Sequence, residues 1–333
     1  MKLVLSHMTA LDTCSRIAVS ARKMAKPCRI RSLDDCVSAE HDLDMVDLSS
    51  IPIDDTHRMD VLVPNASHRF RSKRMTRHVW NGPLPDGSFY RIADDVVITS
   101  PEFSLLLLSK PLAFNELVRL CSETCSRYAA ANDDRGFIDR PPITSLRKIA
   151  RFVGKCSNAS GATKLRRALA YSVENARSPM EAAVGIMMSM PARLGGFGLG
   201  KPSLNYRINL KGNAAALAGR GYVELDLYYP AHEVALEYDS SQYHAGTERR
   251  TSDARRNNVL RSLGLTVINL TWDQVRDPFL LEGAMGQAAK AMGKKLAQPS
   301  ERGLVNRLEL YSTLLPMAHI PSYWPEFYVK REL

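Results

Sequence analysis

The sequence predicts an α/β fold in which a mixed-sheet core on the C-terminal side follows a smaller α/β domain and a helical linker. Three observations carry that expectation. The chain has 333 residues, too many for one typical core and enough for two. Toward its C-terminal side, 222–229 and 234–239 alternate as strands, 248–263 repeats as a helix and 265–270 is β-rich, which together have the spacing of a parallel crossover unit. Over the first 128 residues, short strand and helix signals intermix.

In chain order, Val61–Val63 and Val96–Thr99 read as strands. Ser100-Pro101-Glu102 then supplies a serine cap and a proline at the first helical position, opening a helix through Leu108. Phe114–Tyr128 places Leu117, Leu120 and Cys121 on one helical face. Ala129–Ser145 gathers Asn132, Asp133, Asp134, Gly136, Pro141 and Pro142 and reads as a linker. Two basic helices follow, Ser145–Lys155 and Thr163–Ala176. The expected regions are 1–128, a linker with basic helices at 129–177, a core domain at 178–295, and a tail at 296–333 with a helix over Glu301–Leu315.

The core domain starts with Ser178-Pro179 opening a helix, then Asn205–Leu210 as a strand. Tyr222–Tyr229 and Val234–Asp239 are joined by four residues, a common hairpin length. If Tyr229 pairs with Val234, Asp226 falls opposite Glu237, and parity puts Glu224, Asp226, Glu237 and Asp239 on one face. Val223, Leu225, Leu227, Val234 and Leu236 take the other, buried face, and Ala235 implies that the acidic face is partly covered too. A helix over Glu248–Leu263 ends at Gly264, Leu265–Leu270 is the next strand, and Trp272–Met292 is a closing helix. Facing like charges destabilise a strand pair. Clustered carboxylates in a covered place call for a divalent cation, and an all-oxygen set suits Mg²⁺ or Mn²⁺.

Lysine and arginine outnumber acids 45 to 35, which favours a polyanionic partner, nucleic acid before anionic membrane. No apolar stretch approaches bilayer-spanning length, no signal peptide is read at the start, and six scattered cysteines without a Cys-x-x-Cys pair read as buried thiols, so the expectation is a cytoplasmic protein.

The order of elements, with Asp226 on one strand and Glu237 on the next, resembles the PD-(D/E)XK nuclease superfamily, and within it bacterial domains related to very-short-patch-repair (Vsr) endonucleases. Glu181, Asp226, Glu237-Tyr238-Asp239, His244, and Asp253 with Arg256 stand where those domains carry an acid in the first helix, an aspartate, a Glu-x-Asp element, a histidine and Asp-x-x-Arg. The chain departs from the wider superfamily in having Asp239 where lysine is usual, and Ser240 where glycine commonly follows. Thr9-Ala10-Leu11 and the stretch from Arg77 through Tyr128 resemble the part of AbiEi-type antitoxin proteins outside their helix-turn-helix.

The first resemblance implies a restriction-endonuclease-like core that hydrolyses DNA with Mg²⁺ or Mn²⁺, in defence or mobile-element biology. Asp226 and Glu237 would be the metal ligands, with Asp239, His244 and Glu181 as further catalytic residues. Asp239 reads equally as a turn-forming residue, His244 as a loop histidine, and Glu181 as the third position of a capping box begun by Ser178. Arg249, Arg250, Arg255 and Arg256 are expected to meet nucleic acid, although charge on a helix is often only a solvated face. A run at Arg69–His78 allows the same two readings. Gly195–Gly200 resembles a phosphate loop but lacks the Gly-Lys-Ser/Thr ending and reads as a flexible connector. RNA stays open as a substrate and a homodimer as an assembly. The rival expectation is a non-catalytic regulator or antitoxin-like binder on a nuclease fold.

Overall fold

A computed structural model describes the chain apart from residues 1, 21–25, 38, 40, 50, 53–57, 66–71, 132–135, 240–255, 257 and 316–333. Two compact units result, Met1–Ala170 and Tyr171–Leu333. Both are mixed α/β. Among the described residues no helix is long and apolar enough to cross a membrane.

Unit 1 runs β1 (Leu3–Leu5), α1 (His7–Val19), β2 (Lys26–Cys28), β3 (Met59–Val63), β4 (Met75–Val79), β5 (Phe89–Arg91), β6 (Val96–Thr99), α2 (Pro101–Leu108), α3 (Phe114–Thr124), β7 (Tyr128–Ala130), β8 (Phe137–Asp139), α4 (Leu146–Lys155) and α5 (Ala162–Leu169). Its six-stranded sheet has the order β2-β5-β6-β1-β3-β4. β1 lies parallel to β6 and antiparallel to β3. All three β1 side chains are fully buried, so this strand sits where both faces of the sheet are covered.

Ser100 caps α2 as its sequence implies, its hydroxyl accepting the Phe103 N–H at 3.2 Å, a contact of the kind worth about 1 kcal/mol. α3 stops at Thr124 rather than Tyr128, because Tyr128–Ala130 pairs instead with Phe137–Asp139. The stretch expected to be a linker therefore contains a strand pair, and Arg140 beside it is buried, donating to the carbonyls of Ser126, Pro141 and Glu123. The two basic helices belong to unit 1 as well. α4 packs on α2, and α5 on α3 and α4, each through an apolar stripe (Ile149, Phe152 and Val153; Leu165 and Ala168) that would otherwise face water.

Unit 2 runs α6 (Pro179–Ser189), β9 (Ser203–Asn209), α7 (Gly212–Ala218), β10 (Tyr222–Tyr229), β11 (Val234–Asp239), then α8, described at 256 and over 258–262, β12 (Thr266–Thr271), α9 (Trp272–Arg276), α10 (Pro278–Ala291) and α11 (Glu301–Leu314). The sheet order is β12-β11-β10-β9, with β11 parallel to β12 and the other pairs antiparallel. The observed order is helix, strand, strand, strand, helix, strand, with the short α7 inserted between the first two strands. The closing helix is split at Asp277-Pro278. Proline cannot donate to a continuing helix, and the Asp277 side chain instead accepts the Phe279 and Leu280 N–H groups to start α10.

Gly195–Gly200 is packed, not a flexible connector. Its Phe197, Gly198 and Leu199 N–H groups donate to the Met187, Met190 and Met188 carbonyls, which satisfies the C-terminal end of α6. Phe197 and Leu199 are buried. A side chain on Gly196 would put its Cβ 2.0 Å from the Met190 carbonyl oxygen, so glycine is required there by close approach.

Candidate functional site

The hairpin register is Tyr229↔Val234, Tyr228↔Ala235 and Leu227↔Leu236. One step further along it, Asp226 stands opposite Glu237. Local chemistry explains the arrangement. Pro230–His232 forms a single helical turn, and Glu233 takes φ 54° to re-enter the sheet. Val223, Leu225, Leu227, Val234 and Leu236 are at most 1% exposed, so a one-residue slip would expose all of them.

The third strand adds a residue that sequence reading had not singled out as functional. β9 pairs with β10 as Leu204↔Leu227 and Tyr206↔Leu225, which puts Asn205 level with Asp226. Asn205 has φ 49°, a left-handed backbone uncommon outside glycine. Its Nδ2 donates to Glu181 Oε2 at 2.7 Å and to the Asn175 carbonyl at 3.0 Å. On the other side, Glu237 pairs with Asn269 of β12. A polar row, Asn205–Asp226–Glu237–Asn269, therefore crosses the sheet.

Two arginines flank the row. Arg256 Nη2 meets Glu237 Oε2 at 2.5 Å and also donates to the Glu224 carbonyl. Arg177 Nη2 meets Glu224 Oε2 at 2.5 Å. Arg256, expected to meet phosphate, is thus already engaged by a carboxylate. Asp226 Oδ2 accepts the Tyr238 backbone N–H at 2.9 Å. Glu237 is the most perturbed of the acids: burial first, and then the charge of Asp226, push its carboxyl up to about 8, against the pull of Arg256. Burial also raises Asp226, and the Tyr238 N–H and the two arginines pull it back. Burial raises Glu181, opposed by the Arg177 N–H and the Asn205 amide, while Asp226 adds to the rise.

Glu181 caps α6 in a slightly different way from the expected box. The Ser178 hydroxyl accepts the Glu181 N–H, but the Glu181 carboxylate reaches the Arg177 N–H, not the Ser178 N–H. Oε1 takes the Ser178 hydroxyl and Oε2 takes Arg177 and Asn205. Both oxygens already hold donors, so Glu181 positions Asn205 within the row more readily than it ligates an ion.

Glu237 Oε1 and Asn205 Oδ1 are buried acceptors without a donor among the described residues. Together with Asp226 they make an all-oxygen set that fits a hard divalent cation. The set is small: among the described residues no group of three or more His, Cys, Asp or Glu is arranged to hold a metal ion. Asp239 ends β11, its side chain outside what is described, and His244, Arg249, Arg250, Asp253 and Arg255 lie outside the described residues. Arg207, directly across from Glu224, sits 3.8 Å over the Tyr222 ring, adding basic and aromatic surface beside the row.

Asn205 and Arg177 had only weak signals in the sequence. An asparagine at a strand position and an arginine just before a serine cap are common, and only pairing across 24 and 47 residues gives them meaning. Compared with protein-family models, curated proteins and solved structures, the chain matches none.

Proposed function

We propose that unit 2 is a metal-dependent endonuclease domain of the PD-(D/E)XK type, Vsr-like, hydrolysing phosphodiester bonds in DNA with Mg²⁺ or Mn²⁺. The observation that supports this best is the pair of buried carboxylates, Asp226 and Glu237, level on adjacent strands, with Glu237 Oε1 left without a donor. Holding two such anions together is costly unless positive charge joins them.

Asp226, Glu237 and the Asn205 carbonyl would hold the ion. A bound Mg²⁺ would supply polarisation of the scissile phosphate and acidification of a water. The protein's own part is positional. The Tyr238 N–H fixes the Asp226 carboxylate, Glu181 fixes Asn205, and Arg256 and Arg177 offset negative charge where a phosphate would enter. The N-terminal unit would be the AbiEi-like part, in a defence or toxin–antitoxin setting.

The test is cleavage of duplex, mismatched and single-stranded DNA by the full chain, with Mg²⁺, Mn²⁺ or a chelator. Cleavage should need the metal and fall to the chelated level in Asp226→Ala and in Glu237→Ala. Cleavage that persists in both purified variants would sink the assignment.

The Arg256–Glu237 ion pair favours one second reading, a non-catalytic nucleic-acid binder in which the guanidinium stands where a cation would otherwise be needed. That protein would bind DNA equally well in chelator and cleave it under no condition.

A further inference from the structure

Unit 1 contains a cavity of about 1050 Å³, at the upper end of the size of small-molecule sites. At its wall the His7 and His78 rings stack, centroids 3.7 Å apart and 25° from parallel. His78 Nε2 is held by Asp60 Oδ1 at 2.7 Å and His7 Nδ1 by the Ser6 hydroxyl at 2.9 Å. Thr9 braces Asp60 in turn, its hydroxyl accepting the Asp60 N–H at 2.9 Å. Each ring thereby keeps one nitrogen, Nε2 of His7 and Nδ1 of His78, with no hydrogen-bond partner among the described residues. His7 is only 7% exposed, yet both histidines line the cavity. Burial and the neighbouring His78 drive the His7 pKa down to about 3, so this ring is neutral near pH 7.

The rest of the wall selects by charge. Lys110 and Lys155 line it, and no carboxylate does. His7 is also the first residue of α1, a helix of 13 residues whose N-cap, Ser6, gives no side-chain cap and whose first turn holds no acid. The Asp60 carboxylate stands beside that first turn, its Oδ2 3.5 Å from the Thr9 hydroxyl, so the positive charge that an anion would meet in the cavity comes from the two lysines. Trp80, Leu106 and Leu107 supply an apolar side opposite in character to the lysines.

We propose that this cavity binds a phosphate-bearing ligand of mononucleotide size. The phosphate meets Lys110 and Lys155, the two free imidazole nitrogens make directional hydrogen bonds, and the base lies against Trp80. The ligand is either a free nucleotide or the phosphorylated end of a nucleic acid. The site is separate from the carboxylate row, and its test does not depend on cleavage.

Titration calorimetry on the full chain, in chelator, would use adenosine 5′-monophosphate, adenosine, and a trinucleotide with and without a 5′-phosphate. Phosphorylated probes should bind saturably and their unphosphorylated forms at least about tenfold more weakly. Lys110→Met/Lys155→Met, whose exposed side chains can change without disturbing the core, should weaken phosphorylated probes by about tenfold or more. An unchanged thermal melt would show that the variant is folded. His78→Asn should weaken binding as an alteration at a second point of the wall. Tighter monophosphate binding identifies a free nucleotide, and tighter trinucleotide binding a nucleic-acid end. The proposal is overturned if neither phosphorylated probe binds, if the 5′-phosphate makes no difference, or if the double-lysine variant binds as before.

Discussion

Replacing Glu237 by glutamine keeps the side chain's shape and removes only its ability to ionise. In the folded chain this carboxyl sits at about 8, against an ordinary 4.5. A raised acid pKa means that the folded state holds the proton more tightly than the unfolded chain does. Ionisation therefore opposes folding: the cost is absent below the unfolded pKa, grows as pH rises between the two values, and is complete above the folded one. At about 1.4 kcal/mol per pH unit, the full cost is on the order of 3–5 kcal/mol. The Glu237 side chain is 12% exposed, so solvent relieves little of this. Wild type and Glu237→Gln should have nearly equal stability at pH 4.5 in chelator. At pH 9 the variant's urea midpoint should lie higher by about 1.5–2.5 M, taking roughly 2 kcal/mol per M for a unit of this size. Hydrogen exchange of the β10 and β11 amides would report the same difference locally. Stability curves that stay parallel from pH 4.5 to 9 would refute the account of a buried, unrelieved carboxylate. Adding Mg²⁺ at pH 9 should narrow the gap if the same oxygens take the cation.

Other consequences are open to measurement. Arg307, 4% exposed, donates to the Gly195 and Gly196 carbonyls and lies 4.6 Å over the Phe197 ring. Arg307→Ala should cost about 3 kcal/mol in urea unfolding by stranding those carbonyls and opening a cavity; a loss under about 1 kcal/mol would contradict this. Gly196→Ala should destabilise by about 2 kcal/mol or more, since the new Cβ meets the Met190 carbonyl. Gly283→Ala, in the middle of α10 with open space around it, should instead stabilise by about 0.5–1 kcal/mol. Among the six free cysteines only Cys28 is half-exposed, and burial holds Cys14 at about 12 and Cys36 at about 11. A thiol reagent at pH 8 should therefore modify Cys28 first and the others only on unfolding; equal rates for Cys14 and Cys28 would refute that burial pattern.

Much of unit 2 was legible because its signals are local. A four-residue connection and period-2 alternation bring Tyr229 to Val234, and parity then carries Asp226 to Glu237 without any knowledge of the rest of the chain. Serine caps at Ser100 and Ser178 announced two helices that the structure contains. β1 and α1 went unread because a strand of three residues has too few positions to show a period, and α1 follows it directly. The basic helices α4 and α5 were read as helices but grouped with the linker, because their charge is visible in sequence, whereas the partners of their apolar stripes, α2 and α3, are not.

What the sequence determined by itself is which carboxylates face each other on the hairpin, since turn length and strand parity are properties of neighbouring residues. Tertiary structure alone decided what surrounds them. The third strand brings Asn205 level with Asp226, and α8 turns Arg256 onto Glu237. Packing then removes the water that would have kept these acids at their ordinary pKa. Desolvation and charge pairing depend on distance in space, and a sequence specifies that distance only through the fold.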